Sequence, residues 1–373
     1  RAAVLFDLVT SAASVHGAYW MTGAGGIFCE NRAMEWLVSL TGMPKGSFGV
    51  FTSGGTAANL SAMITAREAW RSENRENNAF RALLITSNGA HSSIKAMAKV
   101  IDADILLVED DDADRLTGEN LQKAIDELSQ IDRKRLFAVV ATGGTTNAGI
   151  IDDLESVATV CEKNKLWFHV DAAYGGGALA APSVRHLFHG IERADSVTID
   201  PHKWMFSPYD CGAIIYKNME LARNAHSQKG AYLEIFKDEG AQGFNPSDYQ
   251  IQLTRRLRGM PLWFSLAMHG TERYVHAIER GLELAQIAAD KIRKFDFVEL
   301  IREPGLSCVL FRRIGWKPED YRDWTYTNQQ KGFALVTPSK WTKKGHTETI
   351  ARFCFINPDT SEEDIQAILE SMV

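Results

Sequence analysis

Cysteine is scarce in this chain, and long apolar runs are missing. The five cysteines stand at positions 29, 161, 211, 308 and 354, without a CxxC pair or a Cys/His spacing of the zinc type. Their odd number and wide scatter predict reduced thiols in a cytoplasmic protein. No run reaches the ~20 apolar residues of a membrane-spanning helix. We therefore expect no metal site and no membrane partner.

An excess of basic residues is also missing. The 373 residues include 41 Lys and Arg against 47 Asp and Glu, a formal net charge of −6. Nucleic-acid binding needs clustered positive charge, so no nucleic-acid partner is expected. The hydrophobic fraction of 45% and the charged fraction of 24% are ordinary for globular proteins. Disordered, collagen-like and disulfide-scaffold classes are excluded.

Short apolar runs alternate with helical segments over the first two thirds of the chain. The apolar runs predict strands at 48–53, 82–87, 104–109, 136–142, 166–172, 196–200 and 212–217. Helices are predicted between several of them, at 56–70, 92–101, 117–128 and 154–164. This alternation predicts an α/β domain with a mostly parallel sheet. In such sheets a ligand lies beyond the carboxyl ends of the strands.

The last third of the chain follows another pattern. The polar stretch 218–250 predicts a functional or mobile loop, and a long helix is predicted over 261–294. Strands at 298–301, 307–313, 333–338 and 350–357 and a closing helix then predict a smaller α+β domain. We divide the chain into a large α/β domain at 1–290 and a small C-terminal domain at 291–373.

Two predicted strands end in loops of glycine and hydroxyl side chains. Gly54, Gly55 and Thr56 separate the strand at 48–53 from a helix, and residues 143–146 follow another strand with the sequence GGTT. Unbonded N–H groups at a helix N-terminus can hold a phosphate. Either loop can equally be a tight turn without a ligand. The Walker pattern and a complete GxGxxG are missing, which disfavours nucleotide binding.

Three further strands end in residues that can carry chemistry. Asp171 ends an apolar strand, where a carboxylate is costly to bury unless it meets a cation or donors. Lys203 follows the strand at 196–200, and the neighbouring Trp204 would reduce its hydration and favour a neutral, nucleophilic amine. His91 follows the strand at 82–87. A solvated lysine and a structural histidine are the alternatives for these residues taken singly.

Together these residues form the set that binds pyridoxal 5′-phosphate (PLP): a phosphate cradle, an acid, an imidazole and a lysine. The motifs NGAHSS (88–93), HVDAAYGG (169–176) and DPHKW (200–204), supported by TRRLRGMPLWF (254–264), resemble those of the group II PLP-dependent amino acid decarboxylases. That family includes aromatic amino acid, histidine and glutamate decarboxylases, and the resemblance covers essentially the whole chain. It implies an α/β, fold-type I PLP-dependent transferase fold, a mixed, mostly parallel seven-stranded sheet, PLP as cofactor and a homodimer.

The resemblance also implies roles for the central site residues. Lys203 would attach the cofactor as a Schiff base, and Asp171 would keep the pyridine nitrogen protonated. His91 would stack on the cofactor ring and help to place the substrate carboxylate, with Ala173 against the other face. Tyr232, 29 residues after Lys203 (232 − 203), matches the family's catalytic loop tyrosine. It would protonate the substrate Cα, although an exposed loop aromatic is the alternative.

Further positions match the family around the phosphate and the cofactor oxygens: Gly55, Thr56, Thr146, Asp200 and His202. Asp200 is a departure, because close relatives often carry a neutral Asn there. An anion near the phosphate is unfavourable unless it points away. Arg352 could bind a carboxylate, as in other enzymes of this fold, or form a structural ion pair.

The implied reaction converts an L-amino acid to its amine and carbon dioxide. Relatives that make aldehydes tend to replace the loop tyrosine or the stacking histidine, and both are retained here. Another PLP reaction (aldehyde synthase, aminotransferase or carbon–carbon lyase) stays open, as does a non-catalytic PLP-binding homologue. The retained site weighs against the latter.

The substrate is the least specified part of the prediction. His16, Tyr19, Trp20 and a GAGG turn at 23–26 fall where the family lines its substrate pocket. An aromatic L-amino acid is our default substrate, although branched-chain, acidic and diamino substrates stay open. The chain begins with Arg1 in place of Met, and we expect that the N-terminal helical segment of the family is absent.

Overall fold

A computed structural model describes residues 2–73, 76, 79–228, 243–343 and 345–373. The chain divides into two compact units: residues 1–144 with 151–273, and residues 145–150 with 274–373. The predicted domain boundary at residue 290 stays a prediction, and it falls within a helix that spans Met260–Ile292. Within the described ranges, no helix is long and apolar enough to cross a membrane.

A seven-stranded sheet forms the centre of the first unit. Its strands are β1 (Phe48–Thr52), β2 (Ala82–Ser87), β3 (Ala103–Val108), β4 (Leu136–Thr142), β5 (Trp167–Asp171), β6 (Ser196–Ile199) and β7 (Gly212–Tyr216). They lie in the order β1-β7-β6-β5-β4-β2-β3. Strand β7 pairs antiparallel with both neighbours, and the other pairs are parallel. The predicted mixed, mostly parallel α/β sheet is confirmed.

The helices that begin in the first unit are α1 (Ala2–Ala13), α2 (Trp20–Thr41), α3 (Gly55–Glu73), α4 (Ser92–Val100), α5 (Gly118–Glu127), α6 (Gln130–Arg135), α7 (Leu154–Asn164), α8 (Met219–His226) and α9 (Met260–Ile292). Helix α3 contributes Ala58, Ala62 and Ala66 to a core that also contains Leu84 and Val140 of the sheet. Small side chains let a helix pack closely. Helix α3 therefore packs closely against the sheet, and it begins at Gly55, shortly after the end of β1.

Two local predictions in the first unit were wrong. The predicted turn at 23–26 belongs to helix α2, which has a kink at Gly23. Gly26 serves packing, because a Cβ there would lie 2.1 Å from Cδ1 of Leu257. The stretch 218–250 is not a continuous loop, since α8 occupies its beginning. Its polar sequence hid this helix.

A four-stranded antiparallel sheet forms the second unit, with helices α10 (Pro318–Gln330) and α11 (Glu362–Glu370). Its strands are β8 (Val298–Leu300), β9 (Cys308–Arg313), β10 (Pro338–Lys343) and β11 (His346–Cys354), in the order β10-β11-β9-β8. The predicted smaller α+β domain matches this architecture. The strand predicted at 333–338 was wrong, because Phe333 and Leu335 are exposed and the strand begins only at Pro338.

Candidate active site

The carboxyl ends of the parallel strands bring most of the predicted site residues together. Asp171 is the last residue of β5, and Gly55 begins α3 directly after β1. The Asp200 N–H donates to the Ala173 carbonyl at 3.1 Å. A Cβ on Gly55 would lie 2.9 Å from Asp200 Oδ2 and 3.1 Å from Ala173 Cβ. The loops after β1, β5 and β6 therefore meet at one edge of the sheet.

Asp200 contacts both basic side chains of the loop that follows β6, residues 200–204, which we call the lysine loop. Its Oδ2 lies 3.0 Å from Lys203 Nζ and 3.5 Å from His202 Nε2, and its side chain is 2% exposed. Burial acts to raise the pKa of Asp200, but the His202 hydrogen bond and the Lys203 charge hold that pKa below its ordinary value. The negative charge that we expected to be unfavourable near a phosphate is thus compensated within its own loop.

Trp204 does not enclose Lys203 as we expected. Its side chain is buried, and its ring stacks on Tyr174 at a centroid distance of 5.4 Å. The Lys203 side chain keeps 34% of its surface exposed. The amine is therefore oriented by Asp200 and accessible to a ligand.

The carboxyl group of Asp171 is buried and held by two donors. Asn59 Nδ2 donates to Oδ2 at 2.8 Å, and the Ala173 N–H donates to Oδ1 at 3.1 Å. Burial raises the pKa of Asp171 above its ordinary value, although both donors and the Lys203 charge act in the opposite direction. A carboxyl group in this state is suited to a cationic partner, because the partner's charge favours its ionised form.

His91 caps helix α4. Its Nδ1 accepts from the Ser93 N–H at 3.2 Å and lies 2.9 Å from Ser93 Oγ. The ring itself is exposed, so one face can contact a ligand while Nδ1 fixes its orientation. Thr56 is likewise exposed in the first turn of α3.

Two predicted residues are not brought to this edge by the described contacts. Thr146 belongs to the second unit, where its carbonyl oxygen accepts from Arg352 Nη1 at 2.8 Å. Arg352 thus bonds to the backbone, where we considered an ion pair or a carboxylate ligand. Tyr232 lies outside the described residues.

Two buried residues of the site were missed by sequence reasoning, Asn59 and His169. His169 lies two positions before Asp171 on β5, and residues two apart share a face of a strand. That spacing within HVDAAYGG was the available signal for His169. Asn59 lies four residues after Gly55 on α3, one helical turn into the core, and no motif pointed to it.

The residues at this edge fit PLP, the cofactor that the resemblance implies. Asp200 Oδ1 is buried and has no hydrogen-bond partner among the described residues, so it can accept from a bound molecule. The N–H groups of the first turn of α3, a 19-residue helix, suit a phosphate. A side chain at Gly55 would fill the space beside Ala173 and Asp200. Lys203 supplies an accessible amine and Asp171 a buried acid.

Comparisons with known proteins identify the family of this chain. Residues 2–314 match the family described as the pyridoxal-dependent decarboxylase conserved domain. The chain is 30% identical to an aromatic-L-amino-acid decarboxylase from Bacillus atrophaeus over 98% of its own length and 76% of that protein. It is 31% identical to an acidic amino acid decarboxylase from Xenopus tropicalis over 93% of its length and 71% of the relative's.

A solved structure shows the same fold. The Oryza sativa protein TDC, crystallised with PLP and tryptamine, superposes with a TM-score of 0.89 at 23% identity, over 100% of this chain and 81% of that one. The two chains therefore share one fold, and the expected fold-type I architecture with its seven-stranded sheet is confirmed. By its family match and its relatives, the chain belongs to the group II pyridoxal-phosphate-dependent decarboxylases and is a PLP-dependent carboxy-lyase acting on an amino acid.

Proposed function

We propose that the protein decarboxylates an aromatic L-amino acid to its amine and carbon dioxide, with Lys203 as the residue that carries PLP. One observation carries the proposal: the loops that hold Lys203, Asp171 and the N-terminus of α3 at Gly55 meet at one sheet edge. PLP, when bound, supplies an electron sink for the electron pair of the breaking bond. The chain's own residues bind and orient the reactants and hold the protons.

Asp171 would face the pyridine nitrogen of the cofactor. Its donors, Asn59 Nδ2 and the Ala173 N–H, already orient both carboxylate oxygens. A protonated ring nitrogen would offset the cost of keeping this buried carboxylate ionised. Because the donors are in place beforehand, the carboxylate need not reorganise when the cofactor binds.

Lys203 would be held ready by Asp200. The 3.0 Å contact fixes Nζ, and the exposed third of the side chain leaves room for a carbonyl to approach. His202 and the N-terminal turn of α3, with Gly55 and Thr56, would contact the cofactor's polar groups. His91 would cover one ring face, and Ala173 the other.

Two residues complete the proposed site by resemblance. Thr146 would contact the phosphate or a cofactor oxygen. Tyr232 would donate the proton to the substrate Cα, where an acid shielded from water is needed. A Tyr232→Phe variant would therefore retain cofactor binding and lose amine formation.

The aromatic substrate class rests on the aromatic residues at the start of α2 and on one relative. Tyr19 is 3% exposed, and its ring lies 6.1 Å from that of His16, between centroids. The neighbouring Trp20 adds a second large aromatic side chain. The relative from Bacillus atrophaeus is named for aromatic L-amino acids. The similarly related Xenopus tropicalis protein makes acidic amino acids the second candidate class.

We also propose that the protein is a cytoplasmic homodimer. The exposed face of helix α1 supports the dimer, since Leu5 and Leu8 are 68% and 69% exposed and Val4 and Val9 lie beside them. A contiguous apolar patch of this kind is typical of an interaction surface. The scattered cysteines support the location.

A substrate panel tests the proposal. The PLP-loaded protein and its Lys203→Ala variant are assayed with L-tryptophan, L-tyrosine, L-DOPA, L-glutamate, L-2,4-diaminobutyrate and L-histidine for carbon dioxide and amine. We expect equal amounts of both products from an aromatic substrate, and none from the variant. Turnover of L-glutamate alone would show that the substrate is an acidic amino acid and not an aromatic one. Ammonia with hydrogen peroxide, or a keto acid, would establish another PLP reaction.

A further inference from the structure

A chain of buried hydrogen bonds runs from the start of β5 to Asp171. Trp167 Nε1 lies 2.8 Å from Ser196 Oγ, which lies 2.8 Å from His169 Nδ1. His169 Nε2 lies 3.0 Å from Asn59 Oδ1, and Asn59 Nδ2 lies 2.8 Å from Asp171 Oδ2. His169 and Ser196 are fully buried, and Asn59 is 1% exposed. The inner members, Ser196, His169 and Asn59, are therefore shielded from solvent, whereas Trp167 at the outer end is partly exposed.

The two ends of this hydrogen-bond series fix the direction in which its members donate. The Trp167 indole N–H only donates, and an ionised Asp171 only accepts. Burial lowers the pKa of His169 to about 3, so its ring is neutral and has one donor and one acceptor nitrogen. Asn59 presents its amide nitrogen to Asp171, and its oxygen must then accept from His169 Nε2–H. In this tautomer the Ser196 hydroxyl donates to His169 Nδ1, and every bond points toward Asp171. The Ser196 backbone, whose hydrogen bond to the ring acts to raise the pKa of His169, is the competing partner that the opposite tautomer would use.

Asn59 also links the two side chains that we expect to contact the cofactor ring, Asp171 and His91. Its Nδ2 lies 3.4 Å from Ser93 Oγ, which in turn lies 2.9 Å from His91 Nδ1. A shift of the Asn59 amide would therefore affect both Asp171 and the cap that orients His91. Asn59 therefore contacts Asp171, His169 and the Ser93 hydroxyl at the same time.

We infer that Asn59 and His169 are positioning residues of this decarboxylase, which direct a donor at Asp171 and thereby favour its ionised form. The inference rests on the proposed role of Asp171 opposite the pyridine nitrogen. Hydrogen bonds in a polarised series strengthen one another in a low-dielectric interior. The charged groups that act on the pKa of Asp171 are Lys203, which lowers it, and Asp200, which raises it. The series of hydrogen bonds that ends at Asp171, which we call the relay, thus adds an uncharged donor that favours the ionised carboxylate.

Removal of the relay should weaken PLP binding most at low pH. Without the Asn59 donor, burial favours protonated Asp171, and a neutral acid loses its attraction for a protonated ring nitrogen. We expect Asn59→Ala and His169→Phe to raise the PLP dissociation constant by about tenfold or more at pH 6. The effect should shrink toward pH 8. His169→Gln, whose amide can donate to Asn59, should restore most of the affinity.

His226→Phe is the matched control. His226 is also buried, and its Nε2 also contacts α3, at 3.0 Å from the Ser61 carbonyl oxygen and 3.1 Å from Thr65 Oγ1. It has no place in the relay. We expect a similar loss of thermal stability as for His169→Phe, but a PLP dissociation constant within about twofold of the parent's.

A second readout needs no cofactor. Nitrogen NMR of the cofactor-free protein should show His169 as the neutral Nε2–H tautomer, unchanged between pH 5 and pH 9, since its pKa is about 3. A titrating His169 or the opposite tautomer would overturn the inference. So would Asn59→Ala and His169→Phe variants that bind PLP as tightly as His226→Phe does. If Asp171→Asn itself leaves PLP binding unchanged, the proposed role of Asp171 fails instead.

Discussion

Glu30 and Arg255 form a buried ion pair whose two side chains are 3% and 0% exposed. Two Arg255 nitrogens bind the two Glu30 oxygens at 2.7 and 2.9 Å, and Arg255 also donates to the carbonyl of Gly17. Glu30 in turn accepts from the Gly259 N–H at 2.8 Å. The motif TRRLRGMPLWF thus has a structural role: its first arginine joins helix α2 to the segment that precedes α9.

Breaking this pair should be costly, because the remaining charge would be buried without its partner. We expect Glu30→Ala to lower the free energy of unfolding by about 3–5 kcal/mol, measured by urea denaturation. Arg256→Met is the control, since Arg256 pairs with Asp7 at a site where both side chains are partly exposed. There we expect a loss below about 1 kcal/mol. Equal losses in the two variants would contradict this account.

Single residues were predictable where a motif exposes them. Asp171 ends a strand and Lys203 follows one, and both carry charge where charge is costly, so the sequence shows their chemical potential. Asn59 is an ordinary polar residue of a helix, and its importance appears only when α3 packs beside β5. The ion pair of Lys203 with Asp200 could not be predicted from the sequence. There Asp200 was only an unfavourable anion near the phosphate, and its contacts with Lys203 and His202 appear only in the structure.

At the scale of elements, the first turn of α3 is held close to the site. Because a Cβ on Gly55 would lie 2.9 Å from Asp200 Oδ2 and 3.1 Å from Ala173 Cβ, Gly55→Ala should displace the lysine loop. We expect PLP binding at least about tenfold weaker, with little loss of thermal stability, because Ala favours helix by up to about 1 kcal/mol. Equilibrium titration with PLP measures the first quantity.

Gly25→Ala is the control for this helix-start variant. Gly25 also lies in a helix, α2, and a Cβ there would meet nothing within 4 Å. We expect unchanged PLP affinity and a gain of up to about 1 kcal/mol in stability. An unaltered PLP dissociation constant in Gly55→Ala would show that the close approach at Gly55 is unimportant.

The two sheets were not equally predictable. The strands of the first sheet, apart from the partly exposed edge strand β3, are largely buried on both faces, so they appear in the sequence as apolar runs. All seven were located within one or two residues. The hairpin of β10 and β11 has mostly partly or fully exposed residues, such as those of PSKWTK. Its pairing depends on backbone register, which composition does not reveal. The strand at 333–338 was therefore misplaced.

At the scale of the whole molecule, the buried carboxyl group of Asp152 links stability to pH. It accepts the N–H groups of Thr142 and Leu116 at 2.7 and 2.8 Å. Burial raises the pKa of Asp152 to about 7, with a further contribution from Asp110, although both N–H donors oppose the shift. Between its ordinary pKa of 3.8 and pH 7 the folded state keeps a proton that the unfolded state has lost. Stability from this group therefore falls as pH rises through that window.

We expect this group to reduce the free energy of unfolding between pH 4 and pH 7, by an amount on the order of 2–4 kcal/mol. Asp152→Asn should be less stable than the parent, because one backbone donor loses its acceptor, and should show a flatter pH dependence. Asp153→Asn keeps the cap of α7 and is the control. Parallel pH curves for the parent and Asp152→Asn, in urea titrations, would refute the linkage.

The proposed dimer makes a prediction about the α1 surface. Glutamates at Leu5 and Leu8 would place charge on the exposed apolar face. We expect the double variant to be monomeric by light scattering, whereas Ile131→Glu, at an exposed position on α6, should not change the mass. A monomeric parent, or a dimeric double variant, would contradict the assignment of this surface.

The central claim is that Lys203 is the residue that bonds PLP, and peptide mapping tests it most directly. The PLP-loaded protein is reduced with borohydride, digested and analysed by mass spectrometry, beside the same protein reduced before PLP is added. We predict a pyridoxyl group on the peptide that contains Lys203, with complete loss of this modification in Lys203→Ala. A modification at another lysine, or none in a protein that releases carbon dioxide from amino acids, would contradict the account.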